Sequence, residues 1–153
     1  MNRIQISKIL NDPVYGFITL NKGILLNIVD HPYFQRLGRI KQLGLTYLVY
    51  PGAHHTRFHH AIGAAHLMEQ AVQTLKENGI TISNDEKMAV ILAILLHDIG
   101  HGPFSHALEN SFVRGINHEE ISKFFMHSLN HNFGGDLTLA IEIFNDQYPK
   151  RFL

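Results

Sequence analysis

The sequence has 153 residues, of which 45% are apolar, and it carries 13 basic and 13 acidic side chains. This length predicts a single compact domain, and the zero formal net charge argues against a nucleic-acid partner held by bulk charge. Cysteine is absent, which excludes disulfides and thiolate metal sites. The first residues lack a signal-peptide pattern and no apolar run reaches transmembrane length, so we expect a cytoplasmic domain with no membrane partner.

Turn and strand signals characterise residues 1–23, which we expect to be non-helical. Asn11-Asp12-Pro13 is a turn signal, and residues 14–20 alternate loosely, which predicts a strand or a β-hairpin. Two short helices are predicted next, at residues 25–30 and 33–43.

The rest of the chain is predicted to be helical. Thr56 opens a long helix whose apolar residues recur at helical spacing as far as Asn78. Ser83 and Glu86 form a capping-box pattern, and residues 88–96 are all apolar, which predicts a helix buried at the centre of a bundle. Further helical segments are predicted at residues 103–110, 119–129 and 137–144. The fold class is therefore all-α, a helical bundle after a short non-helical segment.

Histidine is unusually frequent, with 12 in the chain, and its placement is informative. His97 and Asp98 follow directly on the apolar run of the central helix. A metal ion at that helix end could meet a histidine nitrogen and an aspartate oxygen together, and the partial negative charge of a helix carboxyl end favours a cation. The alternative is that both side chains only bond to loop amides at a helix terminus.

Other histidines make the metal interpretation stronger. His60 lies three residues after Arg57 on the long helix, so the two share a face. A cation beside a metal ligand is unfavourable unless an anion lies between them, and a phosphate would fill that role. Further along, His106 precedes Glu109 by three residues. A carboxylate at that spacing can hold an imidazole in one tautomer and raise its pKa, as a general acid requires.

Together these motifs resemble the HD superfamily of metal-dependent phosphohydrolases. Within it the sequence is most similar to the deoxynucleoside-triphosphate triphosphohydrolases of the SAM-and-HD-domain type. The matching motifs are Arg57-Phe58-His59-His60, His97-Asp98, His101-Gly102-Pro103-Phe104-Ser105-His106 and His118-Glu119. A bare His-Asp pair is a weak signal, whereas these motifs in register are a specific one, and the similarity extends from Lys8 to the last residues.

The resemblance implies a divalent metal ion as cofactor and a nucleotide as substrate. His60, His97 and Asp98 match three protein ligands of the family's metal, and we expect them to converge on one point. Gln42 and Leu43 match residues at the nucleoside end of the pocket. Histidine and carboxylate ligands suit iron, manganese, zinc or nickel, with magnesium a further candidate.

The resemblance also assigns the reacting groups. Arg57 and His101 match residues that line the phosphate site, and His118 matches a histidine that contacts the reacting phosphate. His106 matches the general acid, with Glu109 as its carboxylate partner. In that family a metal-held water attacks the α-phosphorus, and the products are the deoxynucleoside and triphosphate.

Two departures from the family pattern are visible. The residues Lys8, Asn11, Asp30 and Gln35 resemble a regulatory nucleotide site, but Gly38 stands where a related enzyme has an arginine. This difference argues against activation by a guanine nucleotide.

The second departure concerns the family's fourth metal ligand, an aspartate that would fall beyond Leu153. Asp136 and Asp146 are present but lie outside the matching motif. We therefore expect residues 1–153 to be the N-terminal portion of a single HD domain. It should hold metal weakly, hydrolyse little nucleotide and self-associate as a homo-oligomer through apolar faces left uncovered.

Three functions are consistent with the sequence. The first is hydrolysis of deoxynucleoside triphosphates, the second another HD-type nucleotide phosphodiesterase or phosphatase activity, and the third a catalytically inert metal- or nucleotide-binding fragment. His106, Glu109 and His118, together with Gln42 and Leu43, favour the first.

Overall fold

The computed structural model of the chain describes residues 7–104 and 117–149. In that part of the chain, helices pack around one hydrophobic core, to which the N-terminal hairpin contributes Ile18 and Leu20. The predicted class is confirmed: the protein is a helical bundle preceded by a short antiparallel hairpin.

The hairpin consists of β1 (Ser7–Asp12) and β2 (Gly16–Asn21), paired from Ser7 with Asn21 to Asp12 with Gly16. Its turn is built by the Asp12 carboxylate, which accepts the backbone N–H groups of Val14 at 2.8 Å and Tyr15 at 3.0 Å. This local bonding is the reason that an aspartate before proline favours a turn.

Two short helices follow, α1 (Ile24–Asp30) and α2 (Pro32–Gln35), and a 3₁₀ turn continues α2 over Arg36–Arg39. The helix predicted for residues 33–43 is therefore wrong in its second half. Ile40 is extended because its carbonyl accepts the N–H of Arg57 at 2.9 Å, and the next residue forms a β-bridge to Thr56. Pairing with a distant segment thus outweighs local helix propensity.

The two central helices agree with the prediction. Thr56 is the N-cap of α3 (Arg57–Glu77), and Ser83 is the N-cap of α4 (Asn84–Leu96). The capping box is present, since Ser83 Oγ accepts the Glu86 N–H at 3.1 Å and the Glu86 carboxylate accepts the Ser83 N–H at 2.9 Å.

The last two described helices are α5 (His118–Asn132) and α6 (Thr138–Phe144). Helix α4 packs between α3 and α6, and its residues Leu95 and Leu96 are fully buried. The polar residues that follow Leu96 therefore emerge directly from the centre of the bundle.

Two expectations concern other parts of the chain. The helical segment predicted for residues 103–110 lies mostly outside the described residues. Its first two residues, Pro103 and Phe104, are described and form a turn. Among the described helices, none combines the length and the apolar character needed to span a bilayer.

Candidate metal centre

The site is formed by the first turns of α3 and the turn that follows α4. Arg57 and His60 lie near the N-terminus of α3, and His97 and Asp98 come immediately after the last residue of α4. Because α3 and α4 pack against each other, the two sequence motifs meet although 37 residues separate His60 from His97.

The three predicted ligands converge. His60 Nε2 lies 3.3 Å from His97 Nε2 and 3.8 Å from Asp98 Oδ2, and His97 Nε2 lies 3.4 Å from Asp98 Oδ1. The donor atoms of all three lie within 4.8 Å of one another, close enough to hold one metal ion. Ligand nitrogens and oxygens sit about 2 Å from a bound ion, so pairs of them are separated by about 3 to 4 Å.

Backbone contacts orient the His97 ring for this role. Its Nδ1 lies 2.6 Å from the Ile94 carbonyl oxygen, to which it donates its proton. The Nε2 atom then carries a free lone pair that faces His60 and Asp98. The local chain thus selects the tautomer that a metal requires.

The cation next to the ligands is paired with one of them. Arg57 Nη1 donates to Asp98 Oδ2 at 2.5 Å, and the side chains of both residues are largely buried. The anion expected beside Arg57 was a phosphate, whereas in the structure it is the carboxylate of Asp98. The two residues are 41 positions apart, so the sequence alone did not reveal the pair.

Protonation states in the site suit a cation. Burial would raise the pKa of Asp98, but the hydrogen bond from His101 and the charges of His97 and Arg57 outweigh it and hold that pKa well below its usual range. Burial, with the neighbouring His97, lowers the pKa of His60. Burial also lowers the pKa of His101, against the hydrogen bond to Asp98. Neutral imidazoles beside an ionised carboxylate are the form in which these groups bind metal.

His101, one of the residues predicted to line the phosphate site, is buried beside the same carboxylate. His101 Nε2 is 3.4 Å from Asp98 Oδ1, and its ring stacks on the ring of His118 with centroids 4.0 Å apart and planes 16° apart. His118 begins α5, so this stack brings a third element to the site.

The remaining predicted residues are distributed more widely. Gln42 donates its backbone N–H to His55 near the start of α3, and Leu43 is half exposed. His106 and Glu109 lie outside the described residues. Among the residues that are described, neither Asp136 nor Asp146 joins the metal-ligand group.

The residues matched to a regulatory nucleotide site are partly grouped. Lys8 Nζ donates to Asp30 Oδ1 at 2.5 Å, and the Gln35 side chain donates to the Val29 carbonyl at 2.7 Å. Lys8 and Asp30 are therefore an ion pair, and their use as a nucleotide site stays a prediction.

A cavity beside the hairpin gives access to His60. A cavity of about 560 Å³ lies between the hairpin turn and α3, and its wall includes His55, His59 and His60. His59 also caps its own helix, since its Nδ1 accepts the Thr56 backbone N–H at 3.4 Å. His60 is thus reachable from solvent while Asp98 is buried.

Arg36 supports the site and was not singled out from the sequence. Its guanidinium donates to the carbonyl oxygens of His101, at 2.8 Å, and of Ile99, and lies 4.7 Å from the ring centroid of Phe125 on α5. Arg36 therefore fixes the turn after α4 through two of its backbone carbonyl groups. An arginine on a short helix gives no local signal of such a role, because its partners lie more than 60 residues away.

We predict that Arg36→Lys destabilises the protein by about 1–3 kcal/mol, because a lysine ammonium cannot reproduce the planar fork that reaches two carbonyls. Urea denaturation followed by circular dichroism measures the change. The control is Arg39→Lys, which alters an exposed arginine of the same 3₁₀ turn and should leave the free energy of unfolding unchanged. Equal stability of the two variants would contradict the supporting role of Arg36.

Comparison with known families identifies the class of protein. The HD domain model matches residues 57–149, which is more than half of the chain. The protein therefore belongs to the HD-domain family, as the sequence motifs predicted, and it is related to the deoxynucleoside-triphosphate triphosphohydrolases.

Individual relatives agree with this. The chain is 43% identical over 137 residues to deoxynucleoside triphosphate triphosphohydrolase SAMHD1 of Gallus gallus, covering 84% of this chain and 22% of that protein. Identity to the Homo sapiens protein of that name is 44% over 112 residues, 72% of this chain and 18% of that one. A solved phosphohydrolase from Bacteroides thetaiotaomicron is 57% identical, with a TM-score of 0.92 over 96% of this chain and 36% of its own. This chain spans about a fifth of the length of these curated relatives.

Proposed function

We propose that the protein takes part in the metal-dependent hydrolysis of deoxynucleoside triphosphates to deoxynucleoside and triphosphate. The observation that carries the proposal is the convergence of His60 and His97 on the ionised carboxylate of Asp98. The relatives named as deoxynucleoside triphosphate triphosphohydrolases support the substrate class.

The donor set fits a divalent transition metal. Two imidazoles and one carboxylate suit manganese, iron, zinc or nickel, whereas magnesium prefers an all-oxygen shell. The His97 ring is already oriented with Nε2 toward the site, and Asp98 is ionised, as a ligand of a cation must be. A bound divalent ion would polarise a phosphoryl oxygen and make water a better nucleophile near neutral pH.

The residues around the ligands would bind and neutralise the phosphates. Arg57 and His101 both contact Asp98, so their N–H groups lie beside the carboxylate that would hold the ion. His118 stacks on His101 and would contact the reacting phosphate from α5. Such preplaced donors stabilise charge that develops on phosphate oxygens. His106, paired with Glu109, would protonate the departing 5′-oxygen.

Gln42 supplies a recognition group for the nucleoside. Its Oε1 atom is buried and, within the described part of the chain, accepts no hydrogen bond. A buried acceptor without a donor is unfavourable by about 1–3 kcal/mol. An N–H group of a nucleobase would satisfy it, and the half-exposed Leu43 beside it offers an apolar contact for the same ligand.

The proposal is tested by a substrate panel on the full-length gene product, stripped of metal and reloaded with manganese, iron, zinc, nickel or magnesium. We expect turnover of deoxynucleoside triphosphates with triphosphate as the released product, and His60→Ala should remove both metal and activity. His66→Ala is the matched control, because His66 lies on the same helix and outside the ligand group.

Each outcome of the panel separates one alternative. If the protein cleaves a phosphodiester or a nucleoside monophosphate faster than a deoxynucleoside triphosphate, its activity is a different HD-type hydrolysis. Stoichiometric metal without turnover of any substrate would assign an inert metal-binding module. Release of pyrophosphate instead of triphosphate would contradict attack at the α-phosphorus with a nucleoside leaving group.

A further inference from the structure

Ser122 joins the metal-binding turn to helix α5 through a single hydroxyl group. Its Oγ donates to the His97 carbonyl at 3.0 Å and accepts the Gly100 N–H at 2.9 Å. The side chain is completely buried. The His97 carbonyl and the Gly100 N–H have no partner within α4 because the helix ends before them. One residue of another helix thus supplies the hydrogen bonds for both groups.

Gly100 makes this contact close. A Cβ atom at this position would lie 2.2 Å from the His118 carbonyl oxygen, 2.4 Å from the Ser122 nitrogen and 2.8 Å from its Oγ. Two of these three neighbours are backbone atoms, which cannot rotate away. The turn and the first turn of α5 are therefore in direct backbone contact, and the serine hydroxyl is the group that bridges them.

The geometry of this contact determines where His118 lies. His118 is the first residue of α5, one helical turn before Ser122, and its ring stacks on His101. His101 in turn lies 3.4 Å from the metal-ligand carboxylate of Asp98. A shift of α5 relative to the turn would separate His118 from the site while leaving His60, His97 and Asp98 together.

We propose that Ser122 is a positioning residue, which holds α5 against the metal-binding turn so that His118 reaches the phosphate beside Asp98. The inference deepens the proposed function and rests on it for the role of His118 in turnover. Ser122 itself touches neither metal nor substrate. A displacement of about 1 Å in a positioned group can reduce turnover by about 10²-fold.

The test compares Ser122→Ala with Ser128→Ala, which removes a hydroxyl from the same helix away from the turn. At a temperature where both variants are folded, Ser122→Ala should lower kcat by about tenfold or more, and Ser128→Ala should leave it unchanged. In a His118→Ala background, Ser122→Ala should lower kcat by less than about twofold, because a residue that acts through His118 has no further effect once His118 is removed. Equal losses in both backgrounds would overturn the proposal.

Two measurements without turnover keep the inference separate from the proposed function. In the native chain, nuclear Overhauser contacts between the ring protons of His101 and His118 are expected, and Ser122→Ala should weaken them. Calorimetric affinity for manganese should stay unchanged, because the His97 ring is oriented by Ile94 rather than by Ser122. Unaltered ring contacts in Ser122→Ala, or a loss of manganese affinity that matches the loss of kcat, would contradict the positioning role. Absence of deoxynucleoside triphosphate hydrolysis by the full-length gene product would instead refute the proposed function.

Discussion

Asp98→Asn is expected to abolish metal binding and to slow phosphate-ester hydrolysis by about 10³-fold or more. The amide cannot supply the anionic ligand, and a metal ion contributes several kcal/mol to stabilising the transition state, at about 1.4 kcal/mol for each factor of ten. The measurements are metal content after dialysis and initial rates with a deoxynucleoside triphosphate. Asp136→Asn changes an exposed aspartate outside the ligand group and serves as the control. Stoichiometric metal in the Asp98→Asn variant would contradict the assignment.

The same substitution has a second consequence, for stability. Arg57 is 3% exposed, and Asp98→Asn removes the charge of the carboxylate to which it donates. Removing one charge of a buried ion pair destabilises a protein by about 3–5 kcal/mol. The double variant Arg57→Met/Asp98→Asn removes both charges and is expected to regain most of that stability, since apolar replacement of a buried pair is often neutral. It should still bind no metal, which separates loss of ligand from loss of fold.

In the full-length gene product, His106→Ala is expected to slow turnover by about 10²- to 10⁴-fold, far more than it weakens metal binding. In the proposed function this residue is the general acid, which would protonate the departing 5′-oxygen. Metal analysis alongside kcat measures both effects. An equal loss of bound metal would show that His106 is a ligand and that its assignment is wrong.

The leaving group provides a sharper criterion for this role. A p-nitrophenyl phosphate ester releases a stable phenolate that needs little protonation, so His106→Ala should slow its hydrolysis far less than that of a nucleotide. His127→Ala, at an exposed position of α5, is the control for removing an imidazole away from the site. An equal loss with both substrates would indicate that His106 binds phosphate rather than acting as an acid.

Much of the local structure was predictable because its causes are local. The Asp12 turn, the capping box at Ser83 and the apolar run of α4 each depend on residues within a few positions of one another. The helix predicted for residues 33–43 failed beyond Arg39 because a β-bridge between Lys41 and Thr56 holds that segment extended. Such a contact leaves no trace in the periodicity of either segment.

The sequence by itself determined the family, the all-α class and the identity of the metal-ligand candidates. Spaced motifs of chemically distinctive residues carry that information, and His60, His97 and Asp98 could be named from them. Only the tertiary structure decided how these residues are arranged, since the donor distances depend on how α3 packs against α4.

Tertiary packing also decided which residues support the site. Arg57 proved to be the ion-pair partner of Asp98, and Arg36 and Ser122 proved to hold the turn after α4. An arginine or a serine on a helix resembles any other in the sequence, because its partners lie 22 to 65 residues away along the chain. Their roles arise from backbone groups that the end of α4 leaves unpaired, and only folding brings the donors and acceptors for those groups together.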